Sequence, residues 1–277
     1  MIDAALPLLQ CPFCGCPLER TTEQVVGCSG KHRFDLAKQG YLPLLGPRSR
    51  TDTGDDAAMV DARVEFLIAG HFRPIADAVA DRTTGVVLEI GAGTGYYLAH
   101  SEPALGVALD ASKYAARRAA KVHPRVAAVL ADAWAPLPVA SAAIDTVLVI
   151  FAPRTPAEIG RVLRPGGTAL VVTPLPAHLT EMRGPLGMLD IDAGKADALE
   201  QRWGEAFSAA SSTAVTAEMS LGHRDLRALV AMGPAARHRS AADIAAAVEA
   251  LPERVSVTLA VTVTELRVRP VAQRTPR

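Results

Sequence analysis

The chain has 277 residues, enough for one large domain and a small one. With 49% hydrophobic and 21% charged residues it is not an intrinsically disordered chain. Lys and Arg together number 29, as do Asp and Glu, so the formal net charge is zero and any nucleic-acid contact must come from local patches.

The amino terminus lacks the basic start of a signal peptide, and no apolar run reaches the roughly 20 residues of a membrane span. A cytoplasmic protein without membrane contact is expected. All four cysteines lie between Cys11 and Cys28. Cys11-Pro12-Phe13-Cys14 reads as one metal knuckle, and Cys28 with His32 as a second, its turn eased by Gly27, Ser29 and Gly30. In a chain without an export signal this spacing favours tetrahedral zinc over disulfides. Four protein ligands close the sphere, so the Zn2+ should be structural and should supply folding energy to hairpins that lack a core of their own. Cys16 is read as a spectator that could replace Cys14, and free thiols in a loop are the bland alternative. Residues 1–45 are assigned to this module and the polar stretch 46–60 to a linker or mobile loop, leaving 61–277 for the larger domain.

Met59 to Ala80 has helical spacing (Val60, Val64, Leu67, Ile68), broken near Gly70 and Pro74. From Val86 onward strands alternate with helices. Strands are expected at Val86–Ile90, Leu105–Leu109, Val126–Leu130, Thr146–Phe151 and Thr168–Thr173, with a helix from Lys113 to Val122. Short apolar runs separated by helices predict a parallel sheet covered on both faces. The β-branched run Val255 to Val268 fits a strand pairing antiparallel at the sheet's end, giving a seven-stranded, mostly parallel α/β sheet.

Glu89-Ile90-Gly91-Ala92-Gly93-Thr94-Gly95 turns the first of these strands into a helix, and its glycines let a ligand approach the backbone. The pattern is one residue tighter than a dinucleotide fingerprint and is that of a Rossmann-like, class I S-adenosylmethionine-dependent methyltransferase. NAD is the weaker alternative. Asp110 stands at the end of the second strand, where a carboxylate accepts hydrogen bonds from ribose hydroxyls, and Asp132 follows the third, where adenine would lie. Asp110 alone would also fit a helix cap.

Methylation of a pyrimidine carbon needs a cysteine nucleophile, and no cysteine follows Cys28. Exocyclic-amine methylation usually goes with an Asn/Asp-Pro-Pro-aromatic turn after the fourth strand; here that turn is Ile150-Phe151-Ala152-Pro153-Arg154. A ring nitrogen, a hydroxyl or a small-molecule acceptor remains.

Several segments outside the glycine loop carry a specific resemblance. They include Cys28 to His32-Arg33-Phe34-Asp35, Ala37-Lys38, Gly40-Tyr41, Gly54-Asp55, Met59-Val60, Ala62-Arg63, Gly70-His71-Phe72, Phe151-Ala152-Pro153 and His178-Leu179. With them, nearly the whole chain resembles the RlmA-type 23S rRNA (guanine-N1)-methyltransferases. Phe151-Ala152-Pro153-Arg154, Met232-Gly233-Pro234 and the Val-rich tail look most like the Gram-positive branch linked to tylosin-type macrolide resistance. The resemblance implies that Phe72, Gly93, Thr94 and His178 contact the cofactor beside Glu89, Gly91, Gly95, Asp110 and Asp132. It also places Phe151 and Pro153 at the catalytic turn. Glu89 stands where Asp is usual in the family and Phe72 where Tyr is frequent, and the Tyr hydroxyl is thereby lost.

The implied substrate is a loop guanine in a 23S rRNA hairpin, met before or during ribosome assembly. Guanine N1 carries a proton, and His178 is the first candidate to accept it, with solvent as the alternative. Lys31, Arg33, Lys38, Arg48, Arg50 and Arg63 cluster around the metal module and linker, where phosphate contact is the favoured reading. Lys113, Arg117, Arg118, Lys121 and Arg125 read first as a solvated helix face, and His71 and His238 as structural histidines. A small-molecule methyltransferase and a non-catalytic RNA-binding protein remain rival readings. The oligomeric state stays open between monomer and homodimer, and so does a role in resistance.

Overall fold

The computed structural model describes residues 1–47, 49–50, 54–152, 155–188, 203, 206–233 and 239–269. One helical turn, α1 (Ile2–Ala5), leads into an antiparallel meander of β1 (Leu18–Thr22), β2 (Val25–Cys28) and β3 (Arg33–Asp35), followed by the two-residue strand β4 (Leu42–Pro43). The expected interrupted helix is two helices. In α2 (Ala57–Ile68) the Asp56 side chain accepts the Met59 N–H at 2.9 Å, a side-chain N-cap. Gly70, left-handed at φ 84°, breaks the run, and α3 (Arg73–Ala80) restarts with Pro74 in its first turn.

The apolar runs then pair as parallel strands: β5 (Val86–Ile90), β6 (Leu105–Asp110), β7 (Val126–Leu130), β8 (Ile144–Ile150) and β9 (Leu163–Pro174). Helix α4 (Tyr96–His100) joins β5 to β6, α5 (Lys113–Ala119) joins β6 to β7, and α6 (Pro156–Val162) joins β8 to β9. Beyond β9 come α7 (Thr180–Leu186), β10 (Phe207–Gly222), α8 (His223–Ala231), α9 (Ala241–Glu249) and β11 (Arg254–Val268). The sheet order is β10-β11-β9-β8-β5-β6-β7-β4.

Seven of these strands form the expected class I methyltransferase sheet, with β11 antiparallel to both neighbours. Three details differ from expectation. The tail strand β11 lies inside the sheet, between β9 and β10. The edge strand β10 was not read from the sequence because most of its residues are exposed and its Ala, Ser and Thr carry no apolar alternation. An eighth strand is also present, since β4 from the amino-terminal segment pairs parallel with β7, Leu42 opposite Val129.

Residues 131–143, the connection from β7 to β8, contain no helix, so that part of the sheet lacks its usual cover. The amino-terminal segment supplies it. Leu9 bridges Val139, the Gln10 N–H donates to the Pro138 carbonyl at 3.0 Å and the Ala140 N–H to the Leu8 carbonyl at 2.8 Å. Ile2, Leu9, Leu42 and Leu44 are buried in the same apolar cluster as Val107, Val129 and Ile144. One core therefore runs across the segment boundary at residue 45. Leu42→Ala should accordingly cost about 2–4 kcal/mol and lower the melting temperature of the whole chain in one calorimetric transition. A separate early transition with the main one unmoved would refute the shared core.

Candidate active site and metal centre

The metal knuckles converge as their spacing predicts. The ligand atoms of Cys11, Cys14, Cys28 and His32 lie within 4.8 Å of one another. Cys14 Sγ is 3.6 Å from Cys28 Sγ, and His32 Nδ1 is 3.5 Å from Cys11 Sγ and 3.6 Å from Cys28 Sγ. A tetrahedron built on Zn–S of about 2.3 Å and Zn–N of about 2.0 Å has edges of about 3.5–3.8 Å, so the four fit zinc through His32 Nδ1. Cys16 stays outside the cluster. Gly30 is part of the fit: a Cβ there would come within 3.0 Å of Cys14 Sγ and 3.4 Å of His32 Nδ1. The Phe13 ring stacks on the ligand His32 at 5.0 Å between centroids.

In the sheet, β5 has β6 on one side and β8 on the other, so the order reverses there, and the carboxyl ends of the strands open a crevice. A cavity of about 770 Å³ occupies it, within the size range of small-molecule sites. Phe72, Glu89, Gly91, Gly93, Thr94 and Asp110 line it, as do Asp132, Phe151 and His178. Gly95 does not. It caps α4 at φ 75°, and a Cβ there would approach Val122 Cγ1 to 3.0 Å, so packing alone requires a glycine at this position. Pro153 and Arg154, the first of them an expected catalytic residue, lie outside the described residues, as do Arg48, Asp52, Pro234 and His238.

The cavity has a polar and an aromatic side. On the polar side Asp110 holds the glycine loop, its Oδ2 accepting the Gly93 N–H and its Oδ1 the Ser112 N–H, both at 2.7 Å. Burial raises the Asp110 pKa, and the two amides pull it back. Helix α5 itself is capped by the Ser112 hydroxyl, so Asp110 braces the loop and is not the sole cap. Asp132 accepts the Arg50 N–H at 2.7 Å and the Trp134 N–H at 2.8 Å, tying the linker to the loop after β7. Glu89 is fully buried, accepts the Leu98 N–H at 3.1 Å and is pushed up to about 8 by burial, so it is mainly protonated at neutral pH.

Arg63 and Asp55 were not foreseen at this site. Arg63 was read with the RNA-facing cations, yet it pairs with Asp55 at 2.7 Å, donates to the Met232 carbonyl at 2.9 Å and lies 3.4 Å from where a Gly93 Cβ would stand. Only tertiary packing reveals this, because α2 reaches the glycine loop from a distant stretch of chain. The His71 ring lies tilted against Phe66 at 5.1 Å between centroids, and its Nε2 is 3.2 Å from Asp225 Oδ1 without forming a hydrogen bond.

On the aromatic side, Phe72, Phe151 and His178 form a triangle with centroid separations of 6.2, 6.0 and 5.8 Å. Phe151 is 43% exposed and left-handed at φ 52°, a strained conformation of the kind found at functional sites. His178 is buried, and its Nδ1 accepts the Ala260 N–H at 3.2 Å. Burial and then the nearby Arg183 hold its pKa down at about 4, against a weaker pull from Glu181. With Nδ1 occupied as an acceptor, the neutral ring carries its proton on Nε2. In that tautomer the Nε2 of His178, a residue lining the cavity, is a donor.

Residues 9–49 match the family model described as "RlmA, N-terminal", and residues 87–167 one described as "Methyltransferase domain". The chain is 39% identical to the 23S rRNA (guanine(748)-N(1))-methyltransferase of Streptomyces fradiae, an alignment covering 95% of this chain and 97% of that one. The chain belongs to this methyltransferase family. A putative 23S rRNA (guanine-N(1)-)-methyltransferase of Micromonospora griseorubida is likewise 39% identical, over 95% of this chain and 98% of its own length. The putative family member YxjB of Bacillus subtilis is 28% identical over 64% of this chain and 67% of its own. The family uses S-adenosylmethionine, and the cavity size, the open glycine loop and the acid at the end of β6 fit that cofactor.

Two outcomes follow from this geometry. Wild-type protein should carry about one equivalent of zinc, whereas Gly30→Val and Cys28→Ser should carry well under half and lose protection from proteolysis over residues 10–35. Equal metal content in the variants, by elemental analysis, would remove the ligand assignment. Asp110→Ala should lower S-adenosylmethionine affinity at least tenfold by calorimetry, since a charge-assisted hydrogen bond is worth about 1.5–3 kcal/mol. Unchanged binding would leave Asp110 as a brace of the glycine loop only.

Proposed function

We propose that this chain methylates N1 of a loop guanine in a 23S rRNA hairpin. The observation that carries the reading is the near full-length match to relatives named for this reaction, which spans the zinc ribbon and the cofactor cavity alike. S-adenosylmethionine supplies the methyl group. Glu89, Gly91, Gly93 and Thr94 hold its methionine end, Asp110 takes the ribose hydroxyls, and Asp132 with its loop walls the adenine. Phe72 closes the aromatic side.

That assignment leaves the side of the cavity nearer β8 and β9 for the target base. RNA sequence is read mostly through unpaired bases splayed out of the helix, so a loop guanine rotated into the cavity fits this side. The exposed Phe151 ring offers it a stacking surface, and Pro153, two residues on in the sequence, belongs to the same proposed motif. Turnover then depends on aligning the base with the methyl group, a positioning task for a rigid cavity.

We assign residues 1–45 to RNA recognition, 46–60 to a connecting strap and 61–277 to catalysis. Lys31, Arg33 and Lys38 are exposed, and no carboxylate among the described residues pairs with them, so they are free to meet phosphates. Among the described residues no helix is long and apolar enough to cross a membrane, and we place the enzyme in the cytoplasm, acting before or during ribosome assembly. A homodimer and a part in tylosin-type resistance belong to the same reading.

Labelled methyl transfer to naked 23S rRNA tests the proposal, because a small-molecule enzyme or a mere binding protein would leave the RNA unlabelled. A primer-extension stop should mark the product, as N1 methylation blocks Watson–Crick pairing. Neutralising Lys31, Arg33 and Lys38 together should weaken RNA binding and reduce its salt slope by roughly 0.7–0.9 per lost contact. An unaltered slope would move the RNA-binding face to the cations from Lys113 to Arg125.

A further inference from the structure

His178 is the polar group on the aromatic side whose chemistry is fixed by something other than the cavity. Where β11 runs past the end of β9, the loop 175–181 takes over as its hydrogen-bonding partner. The Leu175 N–H donates to the Ala260 carbonyl at 3.0 Å and the Leu179 N–H to the Thr258 carbonyl at 2.9 Å. Glu181 accepts from both the Thr258 hydroxyl and its amide. Within this lattice the Ala260 amide donates to His178 Nδ1 at 3.2 Å. The ring is 7% exposed, lines the cavity, and has no partner for Nε2 among the described residues.

We propose that His178, fixed by the Ala260 amide as the Nε2–H tautomer, donates to O6 of the target guanine and so selects guanine over adenine. The inference rests on the guanine-N1 reading above. Its chemistry follows from the two purines. Guanine offers an acceptor at position 6 where adenine offers an amine, and a donor that cannot reverse its polarity faces the adenine amine unpaired in a desolvated site. The same donor assists the transfer. As the N1 proton leaves to solvent, its electron pair remains on the ring and is delocalised onto O6; the N1–methyl bond would form from that pair as the sulfonium S–methyl bond breaks and S-adenosylhomocysteine leaves. A preorganised N–H aimed at the oxygen where charge develops lowers the barrier in the manner of an oxyanion hole. A neutral ring is needed for this fixed polarity. The charged groups around the ring are Glu181 and Arg183 of α7; β11 contributes only Thr258 and Ala260, and the facing Phe72 and Phe151 are uncharged.

The test compares His178→Phe, which keeps a ring and removes the donor, with His178→Gln, whose amide can still donate. Calorimetry with S-adenosylmethionine is the readout that does not depend on turnover. On hairpin RNA, His178→Phe should bind the cofactor within about threefold of wild type and lose about 10–100-fold in kcat. The alkaline limb of its pH–rate profile should move up by about one unit, because the deprotonated base has lost its partner, and its preference for guanine over an adenine-substituted hairpin should shrink. His178→Gln should recover most of kcat and of the preference. Cofactor affinity falling in parallel with turnover would overturn the inference and make His178 a cofactor ligand. Equal kcat in the two variants, with pH limb and base preference unmoved, would overturn it as well. Failure of the guanine-N1 reading takes the inference with it but shows in the wild type alone, as absent transfer to rRNA.

Discussion

The packing of the first ten residues and β4 over the helix-free connection between β7 and β8 is the constraint on which the rest depends. A parallel sheet needs cover on both faces, and here one face is completed by Ile2, Leu9, Leu42 and Leu44. Full burial of a side chain of this size is worth about 1.5–3 kcal/mol, so these four residues anchor the amino-terminal segment to the sheet. The zinc ribbon consequently has a fixed station beside the cavity. Phe13, which stacks on the zinc ligand His32, and Asp132, which lines the cofactor cavity, both border the small recess between ribbon and sheet.

From that station the strap through Arg50, Gly54 and Asp55 crosses the ends of β7 and β6. The Arg50 amide is held by Asp132, and the Asp55 carbonyl accepts the Ser112 hydroxyl at 2.5 Å. Gly54 passes so close to Ser112 that a Cβ would stand 3.0 Å from its backbone. The strap delivers Asp55 to Arg63, and the pair faces the glycine loop. Strap and cofactor cavity are thus linked by hydrogen bonds at two adjacent strand ends, through Asp132 after β7 and Ser112 after β6.

The opposite wall is built by β11. By entering the sheet between β9 and β10, this strand brings Thr258 and Ala260 under the loop after β9 and fixes both its path and the polarity of His178. A histidine in a loop reads equally as an acid, a base or a ligand. The neighbour that decides among these is 82 residues further along the chain.

The sequence by itself determined everything that depends on short-range spacing. The knuckles at Cys11/Cys14 and Cys28/His32 declare their tetrahedron because ligand geometry is local. Apolar run lengths declare the parallel strands, and the glycine loop with Asp110 declares the cofactor edge, because strand ends in this fold follow directly from strand order. Tertiary structure alone decided what depends on distant stretches meeting. It put β4 onto β7 and exposed β10 at the edge, where half-solvated Ala, Ser and Thr leave no periodic signal. It set Gly95 tight against Val122 and brought Arg63 to the cavity, paired with Asp55. It brought the Ala260 amide to His178 Nδ1, because a ring's tautomer is set by whichever group meets its other nitrogen, and that group is chosen by the fold.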